Sequence, residues 1–157
     1  MTMLHVAAAA LFLLQPAAPA KTPAAPPRTA PAPAAKPGPN DLAVTLTYKG
    51  KGTVDATHQL IVWLFTDAAI TSSSRPIATL STAKNGDTLT FKEVGTAPVY
   101  VFAAFDQKGG YDGRSGPPPA GIPTALYRKA PKGEATAVKA GEAPVKLTFA
   151  DAEPWNK

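Results

Sequence analysis

The sequence contains no cysteine, which excludes thiol nucleophiles, a disulfide framework and thiolate metal sites. Its histidines are only His5 and His58, too few to close a tetrahedral zinc centre without relying on carboxylates alone. No acidic residue precedes Asp41. The apolar run near the start, Val6 to Leu14, has nine residues, far short of the roughly 20 that a membrane-spanning helix needs. No segment sustains a 3.6-residue apolar stripe, so a helical domain is not expected.

What is present divides at Asn40. Nine of the eighteen prolines and thirteen alanines fall before it, together with only three charges, Lys21, Arg28 and Lys36. The run VAAAALFLL, followed by Ala18-Pro19-Ala20 with small residues at both key positions of an A-x-A site, reads as a secretory signal peptide over 1–20. Its leading segment carries no Lys or Arg. With no cysteine after the apolar run, a lipid anchor is excluded, and a soluble product without a transmembrane anchor is expected in a periplasm or outside the cell. Residues 21–40 (KTPAAPPRTAPAPAAKPGPN) combine fixed proline φ angles with too little apolar area to offset chain ordering. They read as a disordered, polyproline-type spacer of at most about 60 Å. A domain over 41–151 and a tail over 152–157 complete the chain. The net charge of +5 is 16 basic minus 11 acidic residues, and 13 against 11 remain after Asn40, a net of +2. Without a cluster of cations interleaved with aromatics, nucleic-acid binding is not expected.

The domain reads as all-β. Leu42 to Tyr48 alternates strictly between apolar and smaller polar positions, Leu60 to Thr66 is apolar until its last residue, and Val99 to Asp106 resembles a second central strand. Ile77 to Ala83 and Asp87 to Val94 flank Asn85-Gly86, a type I′ hairpin signal in which both central residues need positive φ. Short strands are expected near 125–128, over 135–139 and over 145–150. About seven short strands separated by turn signals predict a Greek-key β-sandwich.

The stretches Tyr48-Lys-Gly-Lys-Gly-Thr-Val, His58 to Asp67 and Val99 to Asp106 resemble bacterial exported domains of the carboxypeptidase regulatory-like, or prealbumin-like (transthyretin-like), class. The resemblance covers about 110 residues and lies in strand pattern and spacing. It implies a small Greek-key sandwich serving as a non-catalytic accessory or interaction module. Transthyretin-like hydrolases of the related fold use several histidines, an arginine and a C-terminal Tyr-Arg-Gly-Ser. This chain has one histidine after the signal peptide and ends Glu153-Pro-Trp-Asn-Lys157, so their activity is not carried over.

Among polar residues, His58 has no motif placing a carboxylate or nucleophile beside it, and the nearest acid in sequence, Asp55, lies across a turn; a structural histidine at a strand entrance is expected. Ser72-Ser73-Ser74 lacks the G-x-S-x-G setting of a nucleophile elbow and reads as loop. The segment from Asp106 to Arg114 has the outline of an acidic calcium loop, with Asp106 and Asp112 as candidate ligands. Lys108 and Gly110 stand where oxygens belong, and the competing reading is a tight turn at Gly109-Gly110 with both aspartates bonding backbone amides. A hydrolase built on this pair is a further, weaker alternative. Pro117-Pro118-Pro119 stiffens the far side of the loop, and could also dock a partner as a polyproline ligand.

The strands around Trp63 and Phe102 are apolar on both faces, whereas a two-sheet sandwich buries one face of each sheet. Either the loop over 107–124 covers the second face, with Tyr111 or Tyr127 as a plug, or the aromatics form an exposed platform. The candidate binding residues are therefore Trp63, Tyr100, Phe102, Tyr111 and Tyr127. The expected function is a non-enzymatic, exported binding or structural module whose partner is an envelope protein or a glycan. The alternative is a carbohydrate-binding module using Trp63, Tyr100, Tyr111 or Trp155. No cofactor is expected apart from the calcium alternative.

Overall fold

Alternation over Leu42–Tyr48 produces β1, which turns Leu42, Val44, Leu46 and Tyr48 into the core with exposures of 3% or less. A computed structural model of the chain describes residues 37–114, 118–130 and 133–151. The expected signal peptide, the tail and nearly all of the linker lie outside the described residues. Six further strands follow: β2 (Leu60–Phe65), β3 (Ala78–Thr82), β4 (Thr88–Phe91), β5 (Tyr100–Phe105), β6 (Thr124–Leu126) and β7 (Val145–Phe149). The described residues contain no helix.

The strands form two sheets, in the orders β4-β1-β7 and β3-β2-β5-β6. β1 runs antiparallel to β4 and parallel to β7, while every pairing in the four-stranded sheet is antiparallel. One apolar cluster is shared by both sheets in a sandwich-like arrangement. It joins Leu42, Val44, Leu46 and Tyr48 of β1 and Val145, Leu147 and Phe149 of β7 to Leu60, Val62 and Leu64 of β2 and Val101, Ala103 and Phe105 of β5. β2 and β5 are central in their sheet and pair over six residues, Leu60↔Phe105 to Phe65↔Tyr100. Two-sided burial explains their continuous apolar sequence.

Two expectations are corrected. Asn85-Gly86 does not close a hairpin, because β3 and β4 belong to different sheets. Gly86 takes φ 79°, but the only non-glycine with positive φ among the described residues is Glu93, so the turn is not type I′. Its physical role is a change of sheet. The Asn85 side chain accepts the Tyr48 N–H (2.9 Å) and donates to the Tyr48 carbonyl (2.8 Å), as a neighbouring strand's peptide would. The Gly86 N–H reaches the Leu46 carbonyl (2.9 Å) and the Leu46 N–H the Asp87 carbonyl (3.0 Å). The turn thus delivers the chain from the edge of one sheet to the edge strand beside β1 in the other.

The second correction concerns 135–139, which is not a strand. Val138 exchanges both backbone hydrogen bonds with Val99 (2.8 Å each), while the Thr136 N–H goes to Tyr127 (2.9 Å). Bonds divided between the start of β5 and the end of β6 leave room for one bridge and no ladder.

Candidate functional site

Trp63 and Phe102 face away from the shared core, yet neither meets solvent: their exposures are 0% and 3%. They belong to a second apolar cluster with Ile61, Phe65, Ala104, Ile70 and Ile122, against which Tyr111 and Leu126 pack. Ring centroids lie 5.6 Å apart for Trp63 and Phe102, 6.3 Å for Phe65 and Phe102, and 6.1 Å for Trp63 and Tyr111. The segment after β5 covers this face, so Trp63 and Phe102 are corrected from candidate ligand contacts to core residues.

The cover is held at three places. Asp106, 2% exposed, follows β5 directly and collects three amide protons. Its Oδ1 accepts from Lys108 (3.3 Å) and Gly109 (3.0 Å), and its Oδ2 from Tyr111 (2.7 Å). Gly109 and Gly110 both take positive φ, 75° and 89°, which curls the backbone around the carboxylate. The Trp63 indole N–H then donates to the Gly113 carbonyl at 2.7 Å, satisfying a buried donor. Gly113 has φ 73°, and a Cβ there would lie 2.6 Å from Ile61 Cγ2, so only glycine permits this approach. Finally, Ile122 enters the second cluster from the far side, and the Pro123 carbonyl accepts the Phe105 N–H (3.0 Å).

These contacts bear on the calcium reading. Three amide N–H groups converge on the Asp106 carboxylate, and Asp112 Oδ1 accepts the Arg114 N–H at 2.9 Å. Both aspartates act as turn formers, the competing reading of this loop. Among the described residues, no group of three or more His, Asp or Glu side chains is arranged to hold a metal.

Of the five aromatic candidates, Trp63, Phe102 and Tyr111 meet in the second cluster, and Tyr100 and Tyr127 are not part of it. Tyr111 is half-buried at the rim of the cover; burial, then the Asp112 and Asp106 carboxylates, push its phenol up to about 12, so it is neutral at ordinary pH. Tyr127 is half-buried on the other side of the sheet against the shared core. Tyr100 is half-buried at the start of β5.

Beside Tyr111 an open cleft of about 680 Å³ runs between the cover and the outer margin of β3, lined by Gln59, Thr79, Ser81, Tyr111, Asp112 and Arg114 among others. β3 is an edge strand. Thr79 and Ser81, the partners of Trp63 and Ile61 in register, stand on the face that bears those two side chains. The covering loop reaches Thr79 at Gly113, where a Cβ would lie 3.2 Å from Thr79 Cγ2, and Tyr111, Asp112 and Arg114 form the opposite wall. Gln59 is fixed by its Nε2–H bond to the Ala56 carbonyl (3.0 Å). No sequence motif marks this cleft, because its walls come from three separate stretches that only the β2–β3 register and the loop bring together.

Two other polar clusters were not anticipated. His58 Nδ1 lies 3.0 Å from Asp55 Oδ1, and the same oxygen accepts the backbone N–H groups of Thr57 and His58 (2.8 Å each). Those backbone bonds, and to a lesser extent the imidazole, hold the Asp55 carboxyl below the usual carboxylate range. An aspartate capping the amides two and three residues on, in a tight turn, accounts for the pair. Elsewhere the buried Tyr48 hydroxyl donates to Asp151, lies 3.0 Å from the Lys51 carbonyl and receives Gln107 Nε2–H (3.2 Å). Asp151 Oδ2 also accepts the Lys51 N–H (2.8 Å). Burial, then the Asp151 hydrogen bond, push the Tyr48 phenol up to about 12, while the Tyr48 hydroxyl and the Lys51 amide hold Asp151 low. The tyrosine ring lies against Phe105 and Phe149, at centroid distances of 4.2 and 5.4 Å. This cluster ties the ends of β1 and β7 to the residue after Asp106.

No family model, curated protein or solved structure matches the chain.

Proposed function

We propose that this chain is an exported, non-enzymatic binding module of the cell envelope. A Greek-key, prealbumin-like domain is carried on a proline-stiffened spacer, in a periplasm or outside the cell. The apolar start followed by Ala18-Pro19-Ala20 supports export, and the polyproline-type composition of 21–40 supports a tether. The observation that carries the binding reading is the cleft between Tyr111 and the β3 margin. One wall is a rigid strand edge, and the other is a loop fixed by Asp106 and by Trp63. Such a site is preorganised, and little ordering entropy is lost when a ligand enters. The role of His58 is structural on this reading, because its aspartate neighbour is engaged with backbone amides.

The test is retention of the full chain by isolated envelope fractions, measured by co-sedimentation and compared with Ser81→Arg. Ser81 is exposed, so the substitution places a long side chain in the cleft without touching the core. Retention that Ser81→Arg weakens supports the proposal; retention by no fraction, or retention indifferent to Ser81→Arg, contradicts it. A turnover assay that finds hydrolysis abolished by His58→Ala would contradict the non-enzymatic part.

A further inference from the structure

The chemistry of the cleft narrows its occupant. Protein interfaces are anchored by large apolar or aromatic side chains seated in desolvated pockets. Among the described residues, the large hydrophobic that is well exposed is Ile77, at 51%, and it does not line the cleft. The walls combine hydroxyls (Thr79, Ser81), a carboxamide (Gln59), a carboxylate (Asp112) and a guanidinium (Arg114) with the small or aliphatic Ala56 and Leu80, beside a single aromatic ring, Tyr111.

Donors and acceptors are both represented. Hydroxyl and amide groups serve as either, the carboxylate accepts only, and the guanidinium donates only. The one anion and one cation in this set compensate each other, so nothing selects an ionic ligand by net charge. A volume of about 680 Å³ lies within the roughly 300–1,000 Å³ of small-molecule sites.

We infer that this cleft is a glycan subsite that takes a neutral pyranose unit, with the C–H face of the sugar against the Tyr111 ring and its hydroxyls toward Gln59, Thr79, Ser81, Asp112 and Arg114. A pyranose matches both features: it has an apolar face for an amphipathic ring and hydroxyls that each need a donor and an acceptor. The Tyr111 ring is prepared for stacking. Its backbone N–H is fixed on Asp106 (2.7 Å) and its ring is backed by Trp63 (6.1 Å). This inference rests on the binding-module reading and names its ligand class. It also differs from the exposed platform that the sequence left open as an alternative to a covering loop, since the only aromatic of that platform at the cleft is Tyr111.

The experiment applies the full chain to an array of neutral hexose and N-acetylhexosamine oligosaccharides and follows retained glycans by titration calorimetry. Gln59→Ala, Arg114→Ala and Ser81→Arg are compared with Lys146→Ala, on a strand of the other sheet. Thermal melts confirm that each variant is folded. The inference predicts binding of at least one array glycan, weakened tenfold or more by Ser81→Arg and by Gln59→Ala or Arg114→Ala, and unchanged by Lys146→Ala. An array with no retained glycan, or glycan binding indifferent to Ser81→Arg, overturns it. If the array is silent while Ser81→Arg still abolishes retention by envelope fractions, the sugar assignment falls and the binding module stands. If Ser81→Arg changes neither, both fall.

Discussion

The indole N–H of Trp63 donates to the carbonyl of Gly113 at 2.7 Å across 50 positions of sequence, and this bond fixes the loop after β5 onto the outer face of the four-stranded sheet. It satisfies a buried donor that an apolar cover alone would leave unpaired. Because Gly113 approaches Ile61 and Trp63 so closely, the loop's path is set sterically as well as by hydrogen bonding.

Gly113→Ala is therefore expected to destabilise the domain by about 2–4 kcal/mol, since its Cβ would enter the space of Ile61 at a backbone angle that disfavours side chains. Trp63→Phe, which keeps a ring but removes the donor, is expected to cost less than Gly113→Ala and more than about 1 kcal/mol. Urea unfolding measured by circular dichroism gives both values. Equal stability of Gly113→Ala and the wild type would show that the loop does not lie on Ile61.

Asp106→Ala removes the acceptor of three backbone N–H groups and is expected to cost about 2–4 kcal/mol. Asp112→Ala, which loses one amide contact at an exposed position, is expected to cost less than about 1 kcal/mol. Because Asp106 serves the loop's own amides, the melting temperature should be the same in calcium and in chelator. A calcium-dependent rise that Asp106→Ala abolishes would restore the metal reading.

Asn85→Ala is expected to lower stability by about 1–3 kcal/mol, because two hydrogen bonds to the Tyr48 backbone disappear from the end of β1. Asn85→Gly should not relieve the loss, since the side chain and not the backbone angle makes the contacts. Chemical denaturation of the two variants decides between this role and a type I′ turn, in which Asn85→Gly would be tolerated.

Alkali and acid should act on different clusters. The Tyr48 and Tyr111 phenols are raised from 10 to about 12 in the folded chain. Their stabilising contribution is complete below pH 10 and is lost as the pH rises through about 12, because the unfolded chain ionises first. For each group the slope is at most about 1.4 kcal/mol per pH unit within that window. Absorbance of tyrosinate against pH should show delayed titration of Tyr48 and Tyr111. Asp41, Asp55 and Asp151 are shifted the other way, below their ordinary 3.8. Asp41 is lowered first by the Lys92 ammonium at 2.7 Å. The contribution of these three is present above pH 3.8 and is lost as the pH falls through their lower folded values, so acid unfolding should begin below about pH 4.

Strand periodicity was the most legible property of the sequence. Alternation placed β1 at its observed bounds, and uninterrupted apolarity marked β2 and β5 as central strands. The same composition also showed that the outer face of these strands needed an explanation. It could not choose between a platform and a cover, because the deciding contact joins Trp63 to a glycine carbonyl 50 residues away, and a backbone acceptor has no sequence signature. Asn85-Gly86 misled for a related reason. A two-residue turn signal reports local backbone preference, whereas the Asn85 amide here completes a ladder belonging to β1. The cleft was not legible at all, since Gln59, Thr79 and Ser81 are ordinary polar surface residues until the register of β3 against β2 sets them opposite Tyr111, Asp112 and Arg114 of the loop.

The covered face is the premise on which both the cleft and its proposed occupant depend, and the most direct measurement of it is acrylamide quenching of Trp63 fluorescence. Trp155→Phe leaves Trp63 as the single tryptophan of the chain. A blue-shifted emission that acrylamide quenches weakly in the folded protein, and that becomes red-shifted and strongly quenched when Gly113→Ala is added, is the result predicted here. Strong quenching of Trp63 in the folded protein without the glycine substitution would contradict the account, because the outer face of β2 and β5 would then be open to solvent.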